Sequence, residues 1–178
     1  MRRRPALSVL VGIVVACLIC CLVVQFVAIP RSRDAFKTAM ADAISTEIGA
    51  VVGGADAQIA PGTYQIVAAS VVDRLTNTLN DAGGASVQDL VFEITPERIS
   101  IGFKTTGQSP VVSGRTEVVD GRLNITDIES SGGIFEFILP AETILGGFEK
   151  GFNQYLEQNG LRLVSIEPGV GVLTFVIE

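Results

Sequence analysis

The sequence predicts an α+β domain of antiparallel hairpins and amphipathic helices behind an N-terminal transmembrane helix. Three observations lead there. Residues 6–29 form a 24-residue stretch without a charged side chain. Apolar residues then recur at helical spacing in separate segments, and between those segments they alternate with polar residues around Pro- and Gly-containing turns.

A spanning helix needs about 20 apolar residues, and residues 6–29 are broken only by Ser8 and Gln25 among the polar side chains. Arg2, Arg3 and Arg4 precede the stretch, while Arg31 and Arg33 follow it. The basic excess predicts a cytoplasmic N terminus, which places a single-pass protein in the cell membrane with its C-terminal domain extracytoplasmic. A cleavable signal would have an apolar core of only about 7–15 residues and a small-residue cleavage site, which is missing here. Val14-Val15-Ala16-Cys17 resembles a bacterial lipobox, making Cys17 the candidate for lipidation, although the chain stays apolar beyond it, unlike a lipoprotein linker. The expected organisation is a cytoplasmic tail at 1–5, the span at 6–29, a juxtamembrane helix and linker at 30–62, and an extracytoplasmic α+β domain at 63–178.

Composition narrows the chemistry. There is no histidine in the 178 residues, which removes His-activated nucleophiles, His-based zinc sites and imidazole switches. Cys17, Cys20 and Cys21 all lie in the predicted span, so the chain from Asp34 onward forms no disulfide or thiolate metal site, and no cofactor is expected. From Asp34 to the end, eight basic residues face all 19 acids, a net charge of −11. Such a domain repels nucleic-acid phosphates and anionic headgroups, so a lipid would be held by its acyl chains.

Phe36, Met40, Ile44, Ile48 and Val52 make one helical stripe, with Asp34 as N-cap and Gly53-Gly54 as stop. The stripe favours packing against the domain over a solvated stalk. After a loop over 53–62, residues 63–67 are a strand candidate. Ser70 and Asp73 have capping-box spacing ahead of Val71, Val72, Leu75 and Leu79, and Asn80-Asp81-Ala82-Gly83-Gly84 ends that helix.

The first hairpin alternates Leu90, Phe92 and Ile94 with polar neighbours, turns at Thr95-Pro96-Glu97, and resumes with Ile99, Ile101 and Phe103. The second turns at Asp120-Gly121, a strong hairpin signal. Residues 134–139 are a further apolar run. Ile144, Leu145, Phe148, Phe152, Tyr155 and Leu156 form an amphipathic helix closed by Asn159-Gly160. Gly146, Gly147 and Gly151 within it cost helix stability, and serve either close packing on the sheet or bending around a ligand. The last hairpin turns at Glu167-Pro168-Gly169. Its final strand carries Val170, Val172 and Val176 on one face and Leu173, Phe175 and Ile177 on the other, so both faces call for a cover: helix, second sheet layer or apolar ligand. The order helix, Gly stop, strand, Pro turn, strand occurs twice, at 70–104 and 141–178.

With Val118-Val119-Asp120-Gly121-Arg122-Leu123 and Leu139-Pro140-Ala141, this element order over residues 63–178 resembles the YpmS-like and LmeA-like extracytoplasmic proteins, compared with the tubular lipid-binding (TULIP-like) superfamily. The resemblance implies a curved sheet wrapped on two amphipathic helices, and a phospholipid or other acyl-chain ligand in an aliphatic groove next to the bilayer; it carries over no catalytic residue. Phe92, Ile94, Ile101, Phe103, Leu145, Phe148, Phe152, Val172 and Phe175 are the candidate lining residues, although side chains of this kind are more often plain core. The competing expectation is a cell-envelope scaffolding or interaction domain with a filled interior. A carboxylate-dependent hydrolase built on Glu93, Glu97, Glu117, Asp120, Asp127 or Glu129 ranks last, because these acids fall at turns and outward strand positions.

Overall fold

The computed structural model describes residues 29–53, 61–81, 90–103, 110–131 and 140–178. The predicted span, with Cys17, lies outside the described residues apart from Ile29, as do most of the 53–62 loop and the apolar run at 134–139. Among the described residues, no helix is long and apolar enough to cross a membrane.

Over the described residues the protein is α+β, with three helices and two antiparallel sheets. Helix α1 (Ile29–Gly53) leads to β1 (Gly62–Val67) and helix α2 (Ala68–Asp81). Strands β2 (Leu90–Ile94), β3 (Ile99–Phe103), β4 (Val111–Val119) and β5 (Arg122–Ser131) follow, then helix α3 (Ala141–Gln158) and strands β6 (Leu163–Pro168) and β7 (Val172–Ile177). One sheet has the order β2-β3-β4-β5 and the other β1-β7-β6. The two helix-plus-hairpin copies, α2-β2-β3 and α3-β6-β7, thus deliver their hairpins to different sheets.

The stripe on α1 is buried as its spacing predicts: Met40, Ala41, Ala43, Ile44, Ile48 and Val52 lie inside, and the compact unit that contains the sheets starts at Phe36. Its N-terminal boundary differs from expectation. Residues 29–33 are already helical, so Asp34 is internal and caps nothing. Helix α2 also starts early, at Ala68, directly after β1. The Ala68 N–H donates to the Gly171 carbonyl at 2.9 Å, and the Ser70 hydroxyl donates to the Val67 carbonyl at 2.8 Å. Ser70 is therefore a first-turn residue and not the cap.

The Asp120-Gly121 turn forms as predicted, with φ of 54° and 78° at its two residues, the left-handed pair of a type I′ hairpin. Further along, β5 contains a bulge. Ser113 pairs with Glu129 but Arg115 pairs with Thr126, so Asp127 and Ile128 together oppose Gly114. Asp127 adopts a φ of 48° there. The bulge switches which residues face inward, from Leu123 and Ile125 to Ile128. Gly114 is required opposite: an added Cβ would lie 2.6 Å from Ile125 Cγ2 and 2.9 Å from Leu145 Cδ1.

The final hairpin needs correction. Pro168 is the last residue of β6, and the turn is Gly169-Val170-Gly171, closed by the Gly169 N–H on the Val172 carbonyl at 2.8 Å with Gly171 at φ 71°. Strand β6 is an edge, where proline's missing donor is tolerated. Val170 is consequently at the turn tip, 88% exposed, and not in the strand. On β7, Leu173, Phe175 and Ile177 are buried while Val172, Thr174 and Val176 are half-buried, so one face carries the core and the other is only partly covered.

The sheets meet at two places. Strand β3 pairs only with residues 111–114 of β4, and β6 comes against β4 with the Leu163 N–H donating to the Gly121 carbonyl at 2.9 Å. At the other end of β6, the Gly171 N–H donates to the Ile94 carbonyl at 2.8 Å, tying the β6–β7 turn to the end of β2.

Candidate functional site

Helix α3 organises the interior, because nine of its residues are buried, from Ala141 to Leu156, at spacings of one to three. Of the nine predicted lining residues, Phe92, Ile94, Ile101, Leu145, Phe148, Phe152 and Phe175 are at most 5% exposed and belong to one continuous core. They close on one another. Phe92 stacks on Phe148 with ring centroids 5.6 Å apart, and Phe152 meets Phe175 edge-on at 5.2 Å, both favoured aromatic geometries. Tyr64, paired with Phe175 across β1 and β7, stacks on it at 5.9 Å. Val172 is half-buried on the opposite face of β7, away from this cluster. Phe103 ends β3 opposite Leu90, and its side chain lies outside the described set.

Besides this apolar face, two further interfaces hold α3, and neither was read from periodicity. Toward α1, the glycines have a different partner from the sheet that the sequence suggested. An added Cβ at Gly147 would meet the Met40 side chain at 3.1 Å, and one at Gly151 would lie 2.4 Å from the Ala41 carbonyl oxygen. These glycines let the α3 backbone approach the Met40 side chain at Gly147 and the Ala41 backbone at Gly151. Toward β5, Asn153 hydrogen-bonds the backbone of Leu123 twice: Oδ1 accepts from the N–H and Nδ2 donates to the carbonyl, both at 2.8 Å. One turn earlier, Glu149 accepts from the Ile125 N–H at 3.1 Å. Strand β5 is a sheet edge, so these two side chains occupy backbone groups that a further strand would otherwise pair.

Polar groups inside are few. Glu47 of α1 is the buried acid among the described residues, and it accepts from Arg74 Nε of α2 at 2.5 Å. The Tyr155 phenol packs beside Gly49 and Gly53 of α1, and burial pushes its pKa above the usual tyrosine value.

The six candidate catalytic acids are all exposed and are spread over β2, β4, β5 and the turns after β2 and β4. Glu129 forms a two-pronged ion pair with Arg98, Asp127 lies 3.6 Å from Arg115, and Glu117 accepts from Asn124 at 2.6 Å. The Arg98 guanidinium holds the Glu129 carboxyl below the usual glutamate range. Among the described residues, no three His, Cys, Asp or Glu side chains converge as a metal site.

Outside the core, two adjoining hollows lie between the Asp120-Gly121 turn and the second half of α3. Their volumes are about 210 and 540 Å3, and both are lined by Arg122, Asn153 and Glu157. No sequence pattern pointed to them.

Comparison with protein-family models, curated proteins and solved structures finds no match for this chain.

Proposed function

We propose that this protein is a membrane-anchored, extracytoplasmic interaction module of the cell envelope, a scaffold whose sheets and helices are filled by their own side chains. The uncharged stretch at 6–29 supports the anchor, and the Arg2-Arg3-Arg4 cluster supports the orientation. The observation that carries the module reading is the packing of Phe92, Phe148, Phe152 and Phe175 against one another at ring distances of 5.2 to 5.6 Å where a ligand would have to lie. The proposal assigns no catalytic role: the chain has no histidine, and the six candidate acids are engaged singly or stand apart on the surface.

A second reading, lipid or apolar-ligand binding of the tubular lipid-binding kind, is favoured by one specific feature. Strand β4 pairs with β3 over residues 111–114 only and also lies against β6 of the other sheet. This meeting of the two sheets supports the curved-sheet arrangement that the resemblance implies.

Purification of residues 34–178 under native conditions, followed by extraction and lipid mass spectrometry, separates the two. A lipid-free domain that does not take up a fluorescent fatty acid is the expected result. Stoichiometric co-purifying phospholipid would replace the scaffold reading with the lipid-binding one.

A further inference from the structure

We infer that the paired hollows beside the Asp120-Gly121 turn form an oxyanion-binding site, taking the carboxylate or phosphate group of a small polar ligand. The site collects three cations from three parts of the chain: Arg122 at the start of β5, Lys150 on α3 and Arg162 on the α3–β6 connection. Its acids are Asp120 and Glu157. The local balance of +1 stands in a region, 34–178, whose net charge is −11.

Two other arginines are committed to close ion pairs, Arg74 to Glu47 and Arg98 to Glu129. Arg122 is held more loosely than these, much as Arg115 is by Asp127 at 3.6 Å. Its contact with Glu157 is 3.8 Å long, with the two side chains 63% and 72% exposed, and an exposed pair of this kind contributes little. An incoming oxyanion can therefore take Arg122 from Glu157 at small cost, and a guanidinium fork matches two oxygens of a carboxylate or phosphate.

The backbone beneath the cations is fixed. The Gly121 carbonyl accepts from the Leu163 N–H at 2.9 Å, and Arg162 exchanges backbone hydrogen bonds with Glu178 at 2.8 and 3.0 Å. The Arg162 side chain lies over Gly121, where an added Cβ would be 3.1 Å from its Nε. Gly121 therefore provides both the left-handed turn and the room for Arg162 beside Arg122.

Service to the helix end does not explain these cations. Basic groups near a helix C terminus normally compensate its free carbonyls. Here the last turn of α3 contains no basic residue, and the N–H groups of Asn159, Gly160 and Leu161 already occupy the carbonyls of Tyr155, Leu156 and Glu157.

The test is calorimetric titration of the full chain, in a non-ionic detergent at low salt, with inorganic phosphate and separately with citrate. Saturable binding is expected for at least one of them, weakened about tenfold or more in Arg122→Gln and in Arg162→Gln, and unchanged in the control Arg115→Gln. All three positions are exposed, and unchanged circular dichroism confirms that each variant is folded. Binding of phosphate alone or of citrate alone supports the site and names its oxyanion. No saturable binding of either, or equal binding by the double variant Arg122→Gln/Arg162→Gln, overturns it. Neither result bears on whether lipid occupies the interior, so the site stands or falls apart from the proposed function.

Discussion

Helix α3 is held by opposite physical means on two sides. Toward α1 the contact is steric: Gly147 and Gly151 remove side chains so that Met40 and the Ala41 backbone can come close. Toward β5 the contact is polar: Asn153 and Glu149 take up the backbone groups of Leu123 and Ile125. The first interface tolerates no added volume where its neighbour is backbone. The second tolerates no loss of a partner, because part-buried backbone groups left without one retain their full desolvation cost. A single helix thereby joins a helix layer to a sheet edge, and substitutions two positions apart probe the two mechanisms separately.

The largest effect is expected from Gly151→Ala. Alanine gains about 1 kcal/mol of helix propensity over glycine, but its Cβ would sit 2.4 Å from the Ala41 carbonyl oxygen, a backbone atom that moves only with α1. We expect a net loss of about 2–3 kcal/mol in urea unfolding, with faster hydrogen exchange along α1. Next is Asn153→Ala, which strips both bonds from Leu123 and should cost about 2 kcal/mol. Its signature is local: exchange quickens at the Leu123 amide, while the Ile125 amide stays protected by Glu149. If Gly151→Ala also exposes Leu123, the two interfaces are one cooperative unit and the contrast fails.

The same contrast explains what was legible in the sequence. Period and turn chemistry identified the α1 stripe, the alternation of β2 and β3, the Asp120-Gly121 turn and the buried face of α3, because each is a local pattern imposed by one axis of burial. The bounds that failed were set by groups far away in the chain. Helix α2 starts at Ala68 because Gly171 receives its N–H, and the last turn moves to Gly169-Val170-Gly171 because the edge position of β6 can absorb Pro168. The candidate lining residues were found as apolar positions, yet periodicity does not separate a groove wall from a filled core. The basic hollow was hidden for another reason. A segment charge of −11 averages away a cluster of Arg122, Lys150 and Arg162 that only tertiary structure assembles.

Smaller effects sharpen the steric half of the comparison. Gly147→Ala gains the same propensity of about 1 kcal/mol and meets the Met40 side chain at 3.1 to 3.2 Å. Met40 is flexible, so rotation of its thioether chain can make room. Gain and cost should cancel to within about 0.5 kcal/mol, which is the usual range for a substitution that no named mechanism penalises. A loss as large as that of Gly151→Ala would show that the whole glycine row is rigid, and that the Ala41 backbone is not what sets the limit.

The smallest effect concerns the exposed Arg98–Glu129 pair, which touches neither interface of α3. The hydrogen bond from Arg98 lowers the folded-state pKa of Glu129 below its ordinary 4.5. A carboxyl depressed in the folded state contributes stability above its unfolded pKa, and that contribution disappears as pH falls through the lower folded value. Stability curves of wild type and Glu129→Gln should therefore run parallel near neutral pH, slightly apart, and converge below about pH 4.5. Because the Glu129 carboxylate faces solvent, 150 mM salt should narrow the neutral-pH gap. A gap that survives both acid and salt would mean that Glu129 acts through the bulge at Asp127 and Ile128, by shape and not by charge.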